Sequence, residues 1–318
     1  MSTMHEESKS IPFLVPKILY ENRYCNQEGF SILICGGKDK KENITNEVLE
    51  LKTPSFKVNK FLSMVQPHCY SDLVVIKSDV LAVGKSTELI ESLNKSVVTV
   101  EIYSGKTKTW TNHIIDTEEK FCYCIGSFMS KLYLVGGCII GYKSLSSCYT
   151  YVINSNTWNK VADLNAARDC AACTVFEGKL VVTGGENYVQ GGLKSVEAYD
   201  YYKNKWSYLP DMIETRFNHA AVSMGNKMFV IGGSYTTSCE VFHSYSRKFT
   251  KIISEIKDFD VVSTDFKAFS IGNNIVVFQV TFTETVIHLY DIDKKKWSIV
   301  QCDFTKNMIE SSYVKYHT

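Results

Sequence analysis

Short apolar runs alternate with polar turns along most of the chain, and the alternation itself repeats. One unit opens on small apolar residues, Ala171-Ala172-Cys173-Thr174-Val175, followed by the turn Glu177-Gly178-Lys179. A strongly apolar run then ends on two glycines, Leu180-Val181-Val182-Thr183-Gly184-Gly185. After a variable loop comes Ser195-Val196-Glu197-Ala198-Tyr199-Asp200, and the polar turn Lys203-Asn204-Lys205 leads into a fourth run opening with Trp206. The next unit repeats the scheme from Ala220-Ala221-Val222-Ser223 through Gly225-Asn226-Lys227 to Met228-Phe229-Val230-Ile231-Gly232-Gly233. Runs this short, bounded by turn residues, predict strands joined by hairpins.

The period is fixed: Trp110, Trp158 and Trp206 are spaced 48 residues apart. A period of that size signals a repeat architecture. Further copies of the second strand lie at Ser31–Gly37, Val80–Lys85, Lys131–Gly137 and Asn274–Val280, the last without its glycines. Six units of four short strands predict an all-β, six-bladed β-propeller with four antiparallel strands per blade. The first strand of each unit is innermost, where blades crowd and small residues fit. Repeats begin at the second strand of blade one and end at the fourth strand of blade six. The stretch Glu310–Tyr316 is expected to supply the missing inner strand, close the ring and remove an exposed edge.

A second register runs beside the first. An aromatic stands seven residues before the fourth-strand aromatic in Tyr103/Trp110, Tyr151/Trp158, Tyr199/Trp206, Phe242/Phe249 and Tyr290/Trp297. Such pairs pack across neighbouring strands. Phe56 is the expected counterpart in the degenerate first copy. The glycine pairs let a second backbone approach closely, and the large rings fill the widening wedge between blades. Both read as scaffold.

Composition narrows the function classes. The 318 residues carry 35 basic and 34 acidic side chains, a net charge of +1, which argues against a nucleic-acid binder with a basic excess on one face. The first residues are polar and acidic, and no apolar run approaches the length of a membrane helix, so neither a secretory leader nor a membrane partner is expected. Eleven cysteines, an odd number scattered singly, read as reduced thiols of a cytoplasmic or nuclear protein. Cys170 and Cys173 have metal-pair spacing but fall on a predicted strand, where positions three apart face opposite ways. Cys122 and Cys124 have no second close pair for a zinc site. No cofactor or metal is expected, and no catalytic constellation stands out.

With these glycine pairs and tryptophans the chain resembles the kelch repeat over roughly residues 30 to 300. Arg168 and Arg216 resemble the arginine that kelch units often carry before the first strand, each 16 residues ahead of its glycine pair. His68, Lys120 and Ser263 take its place elsewhere. The resemblance is to the kelch-like family, whose propellers follow BTB and BACK domains. It divides the chain into an N-terminal extension or linker, 1–29, and a propeller, 30–318. Neither partner domain is recognisable here, and a fragment, an isoform and a stand-alone propeller all stay open. Because dimerisation in that family comes from the BTB half, a monomer is expected.

The resemblance implies that a partner binds the face where loops follow the glycine pairs and precede the inner strands. Candidate partner-binding residues on it are Tyr142, Tyr188, Tyr235 and Phe282 from the first set of loops, and His68, Lys120, Arg168 and Arg216 from the second. Arginine beside aromatics suits a protein hot spot, and a basic ring suits an acidic degron peptide. Asp169, Glu118, Glu119, Asp258 and Asp260 lie in the same loops, so a neutral or mixed partner stays open. By resemblance, the leading function is the non-catalytic substrate-recognition module of a cullin-3 ubiquitin ligase adaptor, with cullin-3 reached only through a BTB domain. The alternative is an actin-binding, cytoskeleton-associated protein.

Overall fold

A computed structural model describes residues 30–37, 44–86, 98–115, 120–139, 141, 143–153, 155–234, 236–252, 265–281, 285–300 and 312–317. The extension assigned to 1–29 lies outside them. The described chain forms six four-stranded antiparallel sheets and two small two-stranded ribbons, with no helix among these residues. Blade four shows the pattern: inner strand Ala172–Phe176, then Lys179–Thr183, Val196–Asp200 and outer strand Lys205–Leu209. The inner strands of the other blades are His68–Ile76, Cys124–Phe128, Ala220–Met224, Asp265–Ile271 and, in blade one, Ser312–His317.

That last strand makes the predicted closure. Ser312–His317 pairs antiparallel with Phe30–Cys35, with Leu33 opposite Val314, so blade one is built from both ends of the described chain. A side chain cluster shared by blades six, one and two, including Phe278, Ile32 and Leu73, fills the seam. Other clusters fill the gaps between blades three and four, four and five, and five and six. Most of the apolar burial thus lies between neighbouring blades, and each blade depends on the next.

The aromatic ladder sits as the spacing predicts. Tyr103, Tyr151, Tyr199, Phe242 and Tyr290 stand opposite Trp110, Trp158, Trp206, Phe249 and Trp297. Ring centroids in the five pairs are 4.7–5.4 Å apart. Two residues before each outer ring, the turn holds a left-handed residue: Lys108, Asn156, Asn204, Arg247 and Lys295. Phe56, with φ 53°, occupies that turn position in blade one. It is therefore not the counterpart of the tryptophans; the aligned pair is Leu51 and Val58. A ring cannot replace the outer tryptophan from a position two residues earlier, because the turn conformation fixes where it stands.

The first glycine of three of the four pairs is held by a backbone contact, and Gly232 instead by the Phe266 ring. A Cβ on Gly184 would stand 2.4 Å from the carbonyl oxygen of Arg216, at a φ of +54°. Gly136 faces the Arg168 carbonyl in the same way. The second glycine donates its amide to the same carbonyl: Gly137 to Arg168 at 2.9 Å and Gly185 to Arg216 at 2.7 Å. Both of these glycine pairs are thereby tied to the segment that leads into the following blade.

Candidate functional site

The four basic candidates lie at equivalent places where the chain enters the inner strands, His68 as the first residue of its strand, and all four are buried. Arg168 donates from Nη1 to the carbonyls of Gly184 at 2.6 Å and Ser195 at 3.0 Å, and from Nη2 to Glu197 Oε1 at 2.7 Å. Arg216 makes the same set of bonds one blade later, to Gly232, Ser238 and Glu240. His68 Nε2 lies 2.8 Å from Glu101 Oε1, with both side chains fully enclosed. Lys120 donates to Ser147 Oγ at 2.6 Å and lies over the Tyr149 ring, 4.3 Å from its centroid.

This corrects the expectation of a basic ring open to a partner. A guanidinium removed from water must be matched by a carboxylate and carbonyls, and the fold supplies both. The matching acids are Glu101, Glu197 and Glu240, with Glu214 also reaching Arg216 at 3.3 Å, and not Asp169; Glu118, Glu119, Asp258 and Asp260 lie outside the described residues. Glu101, Glu197 and Glu240 each stand two residues before the third-strand aromatic, and that spacing is the sequence signal that sequence reasoning missed. Each of the three also accepts two main-chain amides of the preceding loop, as Glu240 does from Ile213 at 2.7 Å and Glu214 at 3.0 Å. The cation and carboxylate are struts that fix the loops.

Of the aromatic candidates, Tyr188 is 72% exposed, while Tyr142, Tyr235 and Phe282 lie outside the described residues. Tyr188 and its 88% exposed neighbour Val189 tip a ribbon formed by Glu186–Asn187 and Gly191–Gly192. The tip is anchored: Ser144 Oγ accepts the Tyr188 amide at 3.1 Å and donates to Asp169 Oδ2 at 2.6 Å. Asn187 Nδ2 donates to the Ala167 carbonyl at 2.8 Å. Burial raises the carboxyl of Asp169 above its usual range, opposed by the Ser144 bond, and burial with the Asp169 charge raises Glu186. The loops before the inner strands of blades two and five add the exposed side chains Leu62, Val65 and Ile213.

Cys122, Cys138 and Cys170 converge next to this platform. The Cys170 amide donates to the Cys122 carbonyl at 2.8 Å, and Phe121 pairs with Cys138. Cys170 lies ahead of the inner strand, at φ 51°, rather than on it as the sequence predicted, while Cys173 is enclosed in the core. Contact with the Cys122 thiol lowers the Cys170 pKa, but burial and the Asp169 charge outweigh it and push it up to about 11. That thiol is protonated at neutral pH and a poor nucleophile.

Basic charge is concentrated on one face of the described residues. Fifteen Lys or Arg and five Asp or Glu lie in the turns joining first to second and third to fourth strands, flanking residues included. Among the described residues, the loops joining second to third strands and blade to blade carry six basic and seven acidic residues, flanking residues included. The net charge of +1 thus conceals a strongly basic turn face.

A six-bladed ring of four-stranded antiparallel sheets is a β-propeller. The family model described as Kelch motif matches residues 167–213, from just before Arg168 through all four strands of blade four. A Kelch motif within such a ring supports a kelch-repeat propeller. No curated protein matches the chain.

Proposed function

We propose that the chain is a non-catalytic protein-binding propeller that holds its partner on the loop face, centred on the ribbon tip of blade four. The observation that carries this reading is the anchored pair Tyr188 and Val189, two large side chains held in water on a rigid support. Hot spots favour such pre-positioned aromatics, because little conformational entropy is lost on docking. The burial of its arginines supports a neutral or mixed partner over an acidic degron.

The finer role is recognition within a cullin-3 ligase adaptor, which rests on the resemblance to kelch-like proteins. In that role the propeller grips the target, a BTB domain supplies the ligase, and the work is done in the cytoplasm or nucleus. Affinity capture with the chain and with its Tyr188→Ala/Val189→Ala variant tests the site. The expected result is a protein captured by the first and lost from the second, with unchanged melting of the variant. Equal capture by both would place recognition elsewhere. The adaptor role further requires that the captured protein be ubiquitinated when the propeller is fused to a BTB domain.

A further inference from the structure

The basic turn face is built by the repeat and is not a local cluster. Lys57, Lys205, Lys248 and Lys296 each open an outer strand, and Lys131, Lys179 and Lys227 each open a second strand. Lys77, Lys106 and Lys108 lie in the turns of blade two, so every blade contributes, and the charge surrounds the ring instead of forming a stripe. Four of the five acids on this face are engaged in local structure. Asp200 accepts the amides of Tyr202 and Lys203, Asp291 those of Asp293 and Lys294, and Asp79 that of Gly105. Glu177 pairs with Arg247 at 2.8 Å. Among the described residues, Lys106, Lys205, Lys248 and Lys296 are exposed and make no ion pair. Solubility alone would be served by mixed signs, which the opposite face already approaches.

Two rings stand out of the same surface. Tyr202 and Tyr245, in the outer turns of blades four and five, are 85% and 88% exposed. Both are flanked by basic residues, Lys203 and Lys205 for one and Arg247 and Lys248 for the other.

We propose that this face docks on an anionic lipid bilayer. A charge distributed around a whole ring of turn tips can be met in full only by an extended, planar polyanion. A nucleic-acid strand or an acidic peptide would cross it as a band and leave most of the lysines unmatched. Lysine is suited to such contact, as a point charge that needs no fixed geometry, and tyrosine favours the headgroup level where its ring and hydroxyl find different surroundings. Docking this way turns the loop face away from the membrane, so that the partner site of Tyr188 stays open.

The test is co-sedimentation of the full chain with phosphatidylcholine vesicles, with and without about 30% phosphatidylserine. The expected result is at least about tenfold more protein on the anionic vesicles, lost as salt rises and the screening length falls from about 10 Å to about 3 Å. The variant carrying Lys106→Gln, Lys205→Gln, Lys248→Gln and Lys296→Gln should bind at least about fivefold less at an unchanged melting temperature. The Tyr188→Ala/Val189→Ala variant should bind as the parent does, which separates this surface from the loop-face site. Equal binding to both vesicle types, or no binding, overturns the proposal. So does pelleting with actin filaments or retention on single-stranded RNA without vesicle binding, which would assign the face to an acidic protein or to a nucleic acid.

Discussion

Arg216 reaches one carboxylate oxygen of Glu240 from two nitrogens, at 3.2 and 3.0 Å, and neither side chain has any exposed surface. The arginine also carries two carbonyls, and the glutamate also carries two amides of the loop before blade five. Deleting one partner leaves the other charged, buried and unmatched. Arg216→Met is expected to cost about 3–5 kcal/mol in urea denaturation. Glu240→Gln keeps an acceptor for the amides and should cost less, about 1–3 kcal/mol. A neutral Arg216→Met would mean that the guanidinium is not a structural tie.

The tryptophans of blades three and four are not equivalent. Trp206 is 2% exposed and donates Nε1 to the Ala162 carbonyl at 3.0 Å. Trp158 is half-buried, and its Nε1 has no hydrogen-bond acceptor among the described residues. Trp206→Ala should therefore lose about 3–5 kcal/mol, and Trp158→Ala at least about 1 kcal/mol less, in parallel denaturation curves.

The sequence and the fold agree where a feature repeats. Blade number, the aromatic ladder and the closing strand all follow from spacings that recur, so weak copies could be aligned on strong ones. Phe56 was misread because the first copy keeps an aromatic but has lost the one that sets register; only the turn conformation separates the two. The arginines were misread for a different reason. A spacing of 16 residues to a glycine pair is the same whether the side chain faces solvent or turns inward. What distinguishes the cases is the partner: Glu101, Glu197 and Glu240 recur in phase with the basic positions, and a repeated acid on an otherwise apolar strand signals a buried pair. The basic turn face is hidden by averaging, since the total says nothing about which end of each strand the lysines occupy.

Blade one depends on its borrowed strand. Removing residues 312–318 would expose the whole edge Phe30–Cys35, whose Ile32, Leu33, Ile34 and Cys35 side chains are fully buried. The expected outcome is a fall in melting temperature of roughly 10 °C, with aggregation through the opened edge. An unchanged melting curve would mean that the closure adds little.

Glu214 sets part of the acid limb of stability. Hydrogen bonds from Lys251 and Ser238, with the Arg216 charge, hold its carboxyl down to about 2 from the usual 4.5. A group depressed in the folded state stabilises fully above its unfolded pKa, and that contribution fades as pH falls toward the folded value. The melting temperature of the parent should exceed that of Glu214→Gln near neutrality. The gap should narrow between pH 4.5 and about 2. A gap that stays constant with pH would assign the effect to packing.

Two glycines in blade four separate conformational strain from steric exclusion. Both are left-handed, Gly178 at φ +67° and Gly184 at +54°. A Cβ on Gly178 meets nothing within 4 Å, whereas one on Gly184 meets the Arg216 carbonyl oxygen at 2.4 Å and the His219 ring at 2.9 Å. Gly178→Ala should therefore cost only the left-handed penalty, about 1–2 kcal/mol. Gly184→Ala must also push back the backbone that leads into blade five, where the Gly185 amide is bound to the same carbonyl. It should destabilise by clearly more than the first variant and disturb both blades, read as faster amide exchange at Gly185 and in the Ala220–Met224 strand. Equal losses for the two substitutions would show that the carbonyl can retreat, and that the glycine is kept for its dihedral angle alone.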